Sequence, residues 1–352
     1  MTGAVAEAGR RLQGYLLGPR VQLASGGEAG GVVGSAEPGG APDYVYGEIT
    51  GYFLHWIASA TADVEQRRHA TQAAADWLQH YLAEQPWPAT RRYLGPAPAD
   101  WRNQALFAFD LAMVAGGVAR TATAGLLAPT QALVARLGQL LCQFATGPAL
   151  ATVIAAPAAS LPRRWSTEGG PFSAKTASRV LLLHAHCPLD ANLVGSCRAL
   201  LSRYAVAAAD FPPEMLHPTL YALEGVLLAE GVDYERVARG LERLLQWQAP
   251  DGSLPESLAT PEVRRNDVAA QALRLAILLE QRLGDRGRFA APIARLGDWL
   301  IPQVAADGSL AFAAGRPHSA NTWCALFAEQ ALRLLLARER GEPLPLAEAD
   351  LV

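Results

Sequence analysis

The chain has 352 residues, 51% apolar and 18% charged, with 30 Lys and Arg against 33 Asp and Glu for a net charge of −3. That much apolar material supports a large buried core and excludes a disordered chain. A near-neutral balance with scattered arginines offers neither a basic stripe for nucleic acid nor an acidic tail for a basic partner.

Ala and Leu are abundant and β-branched runs are rare, so the elements read as helices. The first is amphipathic and spans roughly 4–16. A Gly-rich stretch, Gly26 to Gly40, follows as either a flap over a pocket or a disordered entry loop. After it, less polar and amphipathic helices alternate. The less polar ones open near Glu48, Asn103, Ser173, His217, Asn266 and Asn321. The amphipathic ones lie at roughly 63–83, 129–145, 190–207, 233–248 and 288–303. In 233–248, Val237, Leu241, Leu244 and Leu245 recur at helical spacing with Glu and Arg opposite, which predicts one wet face.

The last two units are copies. Asp251 and Asp307 open Asp-Gly-Ser-Leu turns 56 residues apart, and Asn266 and Asn321 open the helices that follow, 55 apart. A recurring turn and helix pair of this length means stacked hairpins. Six less polar helices alternating with six amphipathic ones predict one closed double ring over residues 1–352, apolar set inside. With the turns Gln248–Ser253 and Gln303–Ser309 and the run Tyr46–Tyr52 (YGEITGY), the sequence resembles the six-hairpin (α/α)6 toroid superfamily. The resemblance runs from about Tyr44 to Ala337 and implies an all-α fold. It implies a glycoside hydrolase, polysaccharide lyase or sugar epimerase activity, or a terpenoid cyclase-like one.

Inner helices of such a ring point one end at a central funnel. Positions i, i+4 and i+7 share a helix face. That spacing collects Glu48, Tyr52 and His55, then Asn103, Phe107 and Asp110, then Lys175 and Arg179. It also collects His217, Tyr221 and Glu224, then Asp267, Gln271 and Arg274; the sixth helix opens with Asn321 but continues with Ala325 and Ala328. A purely structural barrel has little reason for such stripes, since an unpaired buried polar group costs ~1–3 kcal/mol. Capping is the competing reading for Asn103, Asn266 and Asn321, and helix-dipole complementation for Glu48 and Asp267. Asp110 and Glu224 sit deeper, as pocket residues or ion-pair partners. His217 precedes Pro218, which suits a first helical position and makes His217 the expected N-cap, kept neutral by the helix end.

Aromatic residues gather in the same loops: Tyr44, Tyr46, Trp101, Trp165, Phe172 and Trp323, suited to stacking on sugar rings or lining an apolar wall. Arg264 and Arg265, Arg316 with His318, and Arg163 with Arg164 stand beside them and suit a carboxylated or phosphorylated ligand, solvated loop charges being the plainer reading.

The toroid resemblance then implies two mechanisms. A carboxylate pair drawn from Glu48, Asp110, Glu224 and Asp267 would serve a hydrolase. His217 and Tyr221, beside a carboxylate held by Arg264 or Arg265, would serve a lyase or epimerase. Tyr44, Tyr46, Tyr52, Trp101, Asn103, Trp165, Lys175, Arg264, Arg265, His318, Asn321 and Trp323 are the expected binding residues. A terpenoid cyclase-like enzyme lacks its aspartate-rich motif here, and an accessory toroid without chemistry stays open, given Ala325 and Ala328.

No metal or cofactor is expected. His184, His186, Cys187 and Cys197 are not spaced like a structural zinc set, and no phosphate loop or serine elbow appears. Four cysteines without a CxxC pair suit a reducing compartment. The N-terminus lacks the order of a signal peptide, and the longest uncharged run, 137–162, is broken by Gly147, Pro148 and Pro157. The expectation is a cytoplasmic protein with a small-molecule or saccharide substrate and no membrane partner.

Overall fold

The computed structural model describes residues 2–37, 41–315 and 319–352. Helices alternate along it: α1 (Thr2–Leu16), α2 (Gly47–Ile57), α3 (Val64–Leu82), α4 (Ala108–Thr123) and α5 (Gln131–Cys142). After a one-turn α6 (Trp165–Glu168) come α7 (Ser173–His184), α8 (Ala191–Ala207), α9 (Leu216–Val226) and α10 (Tyr234–Leu245). Then follow α11 (Asn266–Leu283), α12 (Ala290–Leu300) and α13 (Thr322–Arg340). Helices α2, α4, α7, α9, α11 and α13 each pack on the next, and α13 packs back on α2. The inner ring therefore closes, with α1, α3, α5, α8, α10 and α12 outside it. The protein is an (α/α)6 toroid.

Sequence decides which helix goes where. In α10, Val237, Leu241, Leu244 and Leu245 are buried while Glu235 and Arg236 are not, the one-sided pattern of an outer helix. In α9 all eleven residues are buried, and in α11 burial runs unbroken from Asn266 to Glu280. Such helices fit only inside. Outer helices start on side-chain caps: Asp63, Thr130, Asp190 and Asp233 each accept first-turn backbone N–H groups. Inner helices α2 and α4 touch backbone to backbone, since a Cβ on Gly117 would lie 2.3 Å from the Gly51 carbonyl oxygen.

The paired turns dock identically. Asp251 Oδ1 accepts from Ser253 N (3.0 Å) and Oγ (2.7 Å), and Asp307 Oδ1 does the same for Ser309 at the same distances. Gly252 (φ +90°) and Gly308 (φ +81°) sit on the next outer helix, where a Cβ would lie 2.0 Å from the carbonyl of Arg295 or of Arg11. A third copy was not legible in the sequence. Gly30 (φ +91°) packs in the same way on the Ala73 carbonyl of α3, with Trp77 where Trp299 and Tyr15 stand beside the other two. Of the Gly-rich stretch, residues 26–37 are thus tied to α3 and run into a strand; 38–40 lie outside the described residues.

Short strands rim one end of the ring, where helical periodicity gave no sign of them. They are β1 (Val33–Ala36), β2 (Pro42–Tyr46), β3 (Arg91–Tyr93), β4 (Ala105–Phe107), β5 (Val153–Ala155), β6 (Pro255–Ser257), β7 (Thr260–Arg264) and β8 (Ala320–Asn321). The antiparallel order β3-β2-β1-β8 ties the loops before α2, α4 and α13 together. The helix expected from Asn103 starts instead at Ala108. Asp100 caps a tight turn over Trp101–Gln104, and the next three residues pair with β5.

The opposite end of the ring is stoppered. Residues 348–352 turn back into it, and Gln330 donates to the Asp350 carbonyl (2.7 Å) while accepting from Val352 N (3.0 Å). His55 Nε2 bonds the Ala349 carbonyl at 2.8 Å, and Arg179 donates to the Leu351 carbonyl at 2.5 Å.

Candidate active site

The strand-rimmed end opens into a cavity of about 470 Å3 lined from all round the ring. The N-terminal turns of the inner helices supply its walls: Glu48 and Ile49 from α2, Asp110 from α4, His217 and Tyr221 from α9, and Trp323 from α13. Tyr44, Tyr46, Trp101, Trp165, Arg265 and Asn321 enter from the preceding loops and strands. In ring order α2 stands opposite α9, and α4 opposite α11, so Glu48 faces His217 across the cavity.

One turn below Glu48 and His217, at i+4 on the same two helices, Tyr52 donates to the Tyr221 hydroxyl at 2.9 Å and bridges the barrel. That bridge is the floor. Beneath it Lys175 lies 4.4 Å from the Tyr221 ring centroid and donates to Glu224 Oε2 at 2.6 Å and to the Val352 backbone oxygen at 2.6 Å. Arg274 donates to the other Glu224 oxygen at 2.5 Å and to Gln330 at 2.7 Å. All of these side chains are fully buried. Burial pushes the Lys175 ammonium down to about 7, with Glu224 opposing. Burial also pushes the Glu224 carboxyl up, but Arg274 and Lys175 outweigh it and hold that group below the usual carboxylate range.

This layering corrects several expectations. Lys175 and Glu224 are ion-cluster residues under the floor, and Tyr52 supports that floor through its bond to Tyr221 without lining the cavity. Seven residues of helix descend about 10 Å, which carries Glu224 below the level of His217. Lys175 is low because α7 starts low: a Cβ on Gly225 of α9 would lie 2.2 Å from Lys175 N. Asp267 lies behind the wall, its carboxylate gripped by Arg265 (2.9 and 2.5 Å) and by Trp323 Nε1 (3.2 Å). Burial raises its pKa but Arg265, then His217, pull it below normal, leaving an ion pair with no free oxygen for chemistry. Arg264 reaches back to Asp251 (3.0 Å) and Ser253 in the repeat turn. Asn103 clips the Arg91 backbone, accepting from its N–H (2.8 Å) and donating to its carbonyl (3.0 Å). His318 and Arg316 lie outside the described residues. Of the three expected N-caps only Asn321 caps its helix, accepting from Cys324 N at 3.0 Å; Asn266 donates to the Ala311 carbonyl instead.

His217 does not cap α9 either. It sits in the first turn of α9, and its Nδ1 lies 2.7 Å from Gln271 Oε1. The proton's place follows from the far end of that amide: Gln271 Nε2 donates to Glu224 Oε2 at 3.4 Å. An ionised carboxylate only accepts, so the amide oxygen must face His217 and Nδ1 must carry the hydrogen. Nε2 is left as a lone-pair acceptor. Burial, reinforced by Arg265 and opposed by Asp267 (Oδ2 3.7 Å from Nδ1), lowers the His217 pKa to about 3. The imidazole is therefore neutral throughout the physiological range.

Across the cavity, Tyr46 donates to Asp110 Oδ2 at 3.1 Å. Burial raises the Glu48 carboxyl to about 7, against the pull of Tyr46 and Arg91. Burial and the charge of Glu48 raise Asp110 well above the ordinary range. Two neighbouring carboxyls in a half-buried wall retain a proton to neutral pH. The site thus sets a neutral base opposite a protonated acid.

Sequence reasoning missed Arg91, Arg102 and Glu256, which also line the cavity. They stand on strands and turns that helical spacing does not reach; the only hint was Arg102 beside Trp101. Among the described residues no group of three or more His, Cys, Asp or Glu is placed to hold a metal ion, and no helix is long and apolar enough to cross a membrane.

No family model matches the sequence, and no curated protein matches it either. Solved structures do share the fold. A D-mannose isomerase superposes with TM-score 0.69 at 12% identity, over 95% of this chain and 97% of that one. A cellobiose 2-epimerase from Bacillus thermoamylovorans B4167 gives 0.67 at 13%, over 96% and 100%. A type II terpene cyclase from Scytonema, with its geranylgeranyl dihydroxybenzoate substrate, gives 0.60 at 14%, over 96% and 98%. These likenesses place the chain among the six-hairpin toroids at the level of fold, and fold alone leaves the reaction open.

Proposed function

We propose that this protein is a carbohydrate-active enzyme that moves a proton at a sugar carbon next to a carbonyl, as an epimerase or an aldose–ketose isomerase. The observation that carries this reading is His217, neutral and with Nδ1 committed to Gln271, facing Glu48 across the cavity. His217 Nε2 removes the proton from the carbon beside the carbonyl, and the electron pair moves onto the carbonyl oxygen to form an enediol. The Glu48–Asp110 pair supplies a proton to that oxygen or to the opposite face of the carbon. Protonation of the same carbon from the other face, with the former carbonyl oxygen giving its proton back to the Glu48–Asp110 pair and the two sides re-equilibrating through water, inverts it; delivery of the His217 proton to the former carbonyl carbon, with the neighbouring hydroxyl losing its proton to that pair, gives the ketose. Aromatic walls suit the C–H faces of a sugar. The stoppered far end leaves one mouth, which suits a small sugar or a chain end. The mannose isomerase and cellobiose 2-epimerase share the fold, which supports the same class.

The test is turnover of a panel of reducing mono- and disaccharides followed by NMR for an epimer or ketose. The reading requires a product with wild type and none with His217→Asn or Glu48→Gln. A second reading, glycoside hydrolysis, rests on Glu256, which lines the α11 side opposite Asp110 and gives the cavity carboxyls on two walls. Glu256 is engaged with Arg265 at 2.8 Å, so one of its oxygens is already bonded. Release of nitrophenol from aryl glycosides would favour it.

A further inference from the structure

The cavity mouth carries more positive charge than its own carboxylates answer. Arg91 and Arg102 share one buried carboxylate, Asp100, at 3.6 and 3.1 Å. Arg164 stands beside them at the start of α6 and has no ion-pair partner among the described residues. Its neighbour Arg163 behaves quite differently, pairing with Glu168 at 2.6 Å out in solvent. Glu256, the remaining acidic group at the mouth, is taken up by Arg265. Two of these three guanidiniums therefore share one carboxylate, and the third, Arg164, pairs with none among the described residues. Two of them are held in place by one ring, Arg102 at 4.5 Å and Arg164 at 5.7 Å from the Trp101 centroid. A guanidinium over an aromatic face leaves N–H groups at its edge that can grip a carboxylate or phosphate in two places; Arg102 spends one of its own on Asp100. The inner helices also direct their N-terminal, partly positive ends toward this cavity.

We propose that the mouth is an anion subsite, in which Arg164 and Arg102 on Trp101 hold the carboxylate or phosphate of an acidic sugar while its carbonyl end reaches His217 and Glu48. This rests on the sugar reading above and narrows its substrate class. Arg164 belongs to binding, so its loss weakens affinity for the acid and leaves neutral sugars untouched.

The experiment measures binding of D-glucuronate, D-glucose 6-phosphate and D-glucose by thermal shift and calorimetry, at 50 and 500 mM salt, with wild type, Arg164→Gln and Arg163→Gln. One or both acidic sugars should bind at least tenfold tighter than glucose, and lose most of that margin at high salt. Arg164→Gln should erase the margin and Arg163→Gln should keep it. Which acid binds distinguishes a carboxylate from a phosphate site. Glucose binding as well as either acid, or an unchanged margin in Arg164→Gln, overturns the subsite and leaves the proton-transfer reading standing. Tight acid binding with no turnover of any sugar overturns that reading and leaves the subsite. Absence of binding by all three overturns both.

Discussion

Glu224→Gln removes the side-chain carboxylate that, among the described residues, contacts Lys175 and Arg274 under the cavity floor. Lys175 and Arg274 each lose their charged partner, and Arg179 loses a nearby negative charge. Breaking a buried ion pair by deleting one member costs about 3–5 kcal/mol. For 352 residues the unfolding entropy is roughly 0.7 kcal/mol/K. The melting temperature should therefore fall by about 4–7 °C. The loss should also depend on pH, with a definite sign. Lys175 has a folded pKa of about 7 against 10.5 when exposed, so wild-type stability rises with pH across that window. Without Glu224 the Lys175 pKa drops further, and the rise begins at lower pH. The deficit of the variant is then largest below pH 7 and shrinks toward pH 8. Thermal melts at pH 6, 7 and 8 measure it. A shift under 1 °C, or one that grows with pH, would refute the account of this cluster.

Other perturbations follow the same geometry. Gln271→Leu frees the His217 proton to sit on either nitrogen and should lower kcat 10- to 100-fold with little change in KM. Activity should fall above about pH 7 as Glu48 ionises, with no step near pH 6.5 from His217; a pH–rate profile of the wild type measures both. Gln330→Leu breaks bonds to Arg274, Asp350 and Val352 and should cost about 1–3 kcal/mol in denaturant melts. Gly308→Ala should destabilise by well over 1 kcal/mol, whereas Gly195→Ala, in an open helical position of α8, should stabilise by roughly 0.5–1 kcal/mol.

Much of this fold was readable because apolar periodicity separates helices with one wet face from helices with none. The segment at 233–248 and the fully buried α9 are the clearest pair. The copied Asp-Gly-Ser turns carried the ring, since each glycine must sit on the next outer helix. Gly30 escaped notice because its turn reads Glu-Ala-Gly-Gly and keeps only the glycine and the aromatic partner. The site was half legible. Glu48, Asp110, His217 and Tyr221 do line one cavity. Depth was the missing coordinate: helical spacing gives a face but not a height, so Glu224 and Lys175 were placed in a pocket whose floor passes above them. Asp267 was lost for another reason, since the adjacent Arg265 folds back on it and no spacing rule foretells that pairing.

The most direct measurement is exchange of a sugar's carbon-bound hydrogen with solvent. Wild-type protein incubated with D-glucose, D-mannose, D-glucuronate or D-glucose 6-phosphate in heavy water should place deuterium on the carbon beside the carbonyl of at least one of them. His217→Asn should abolish that incorporation while binding persists. Undiminished exchange in the variant, or none with wild type for any of the four, contradicts a base at His217.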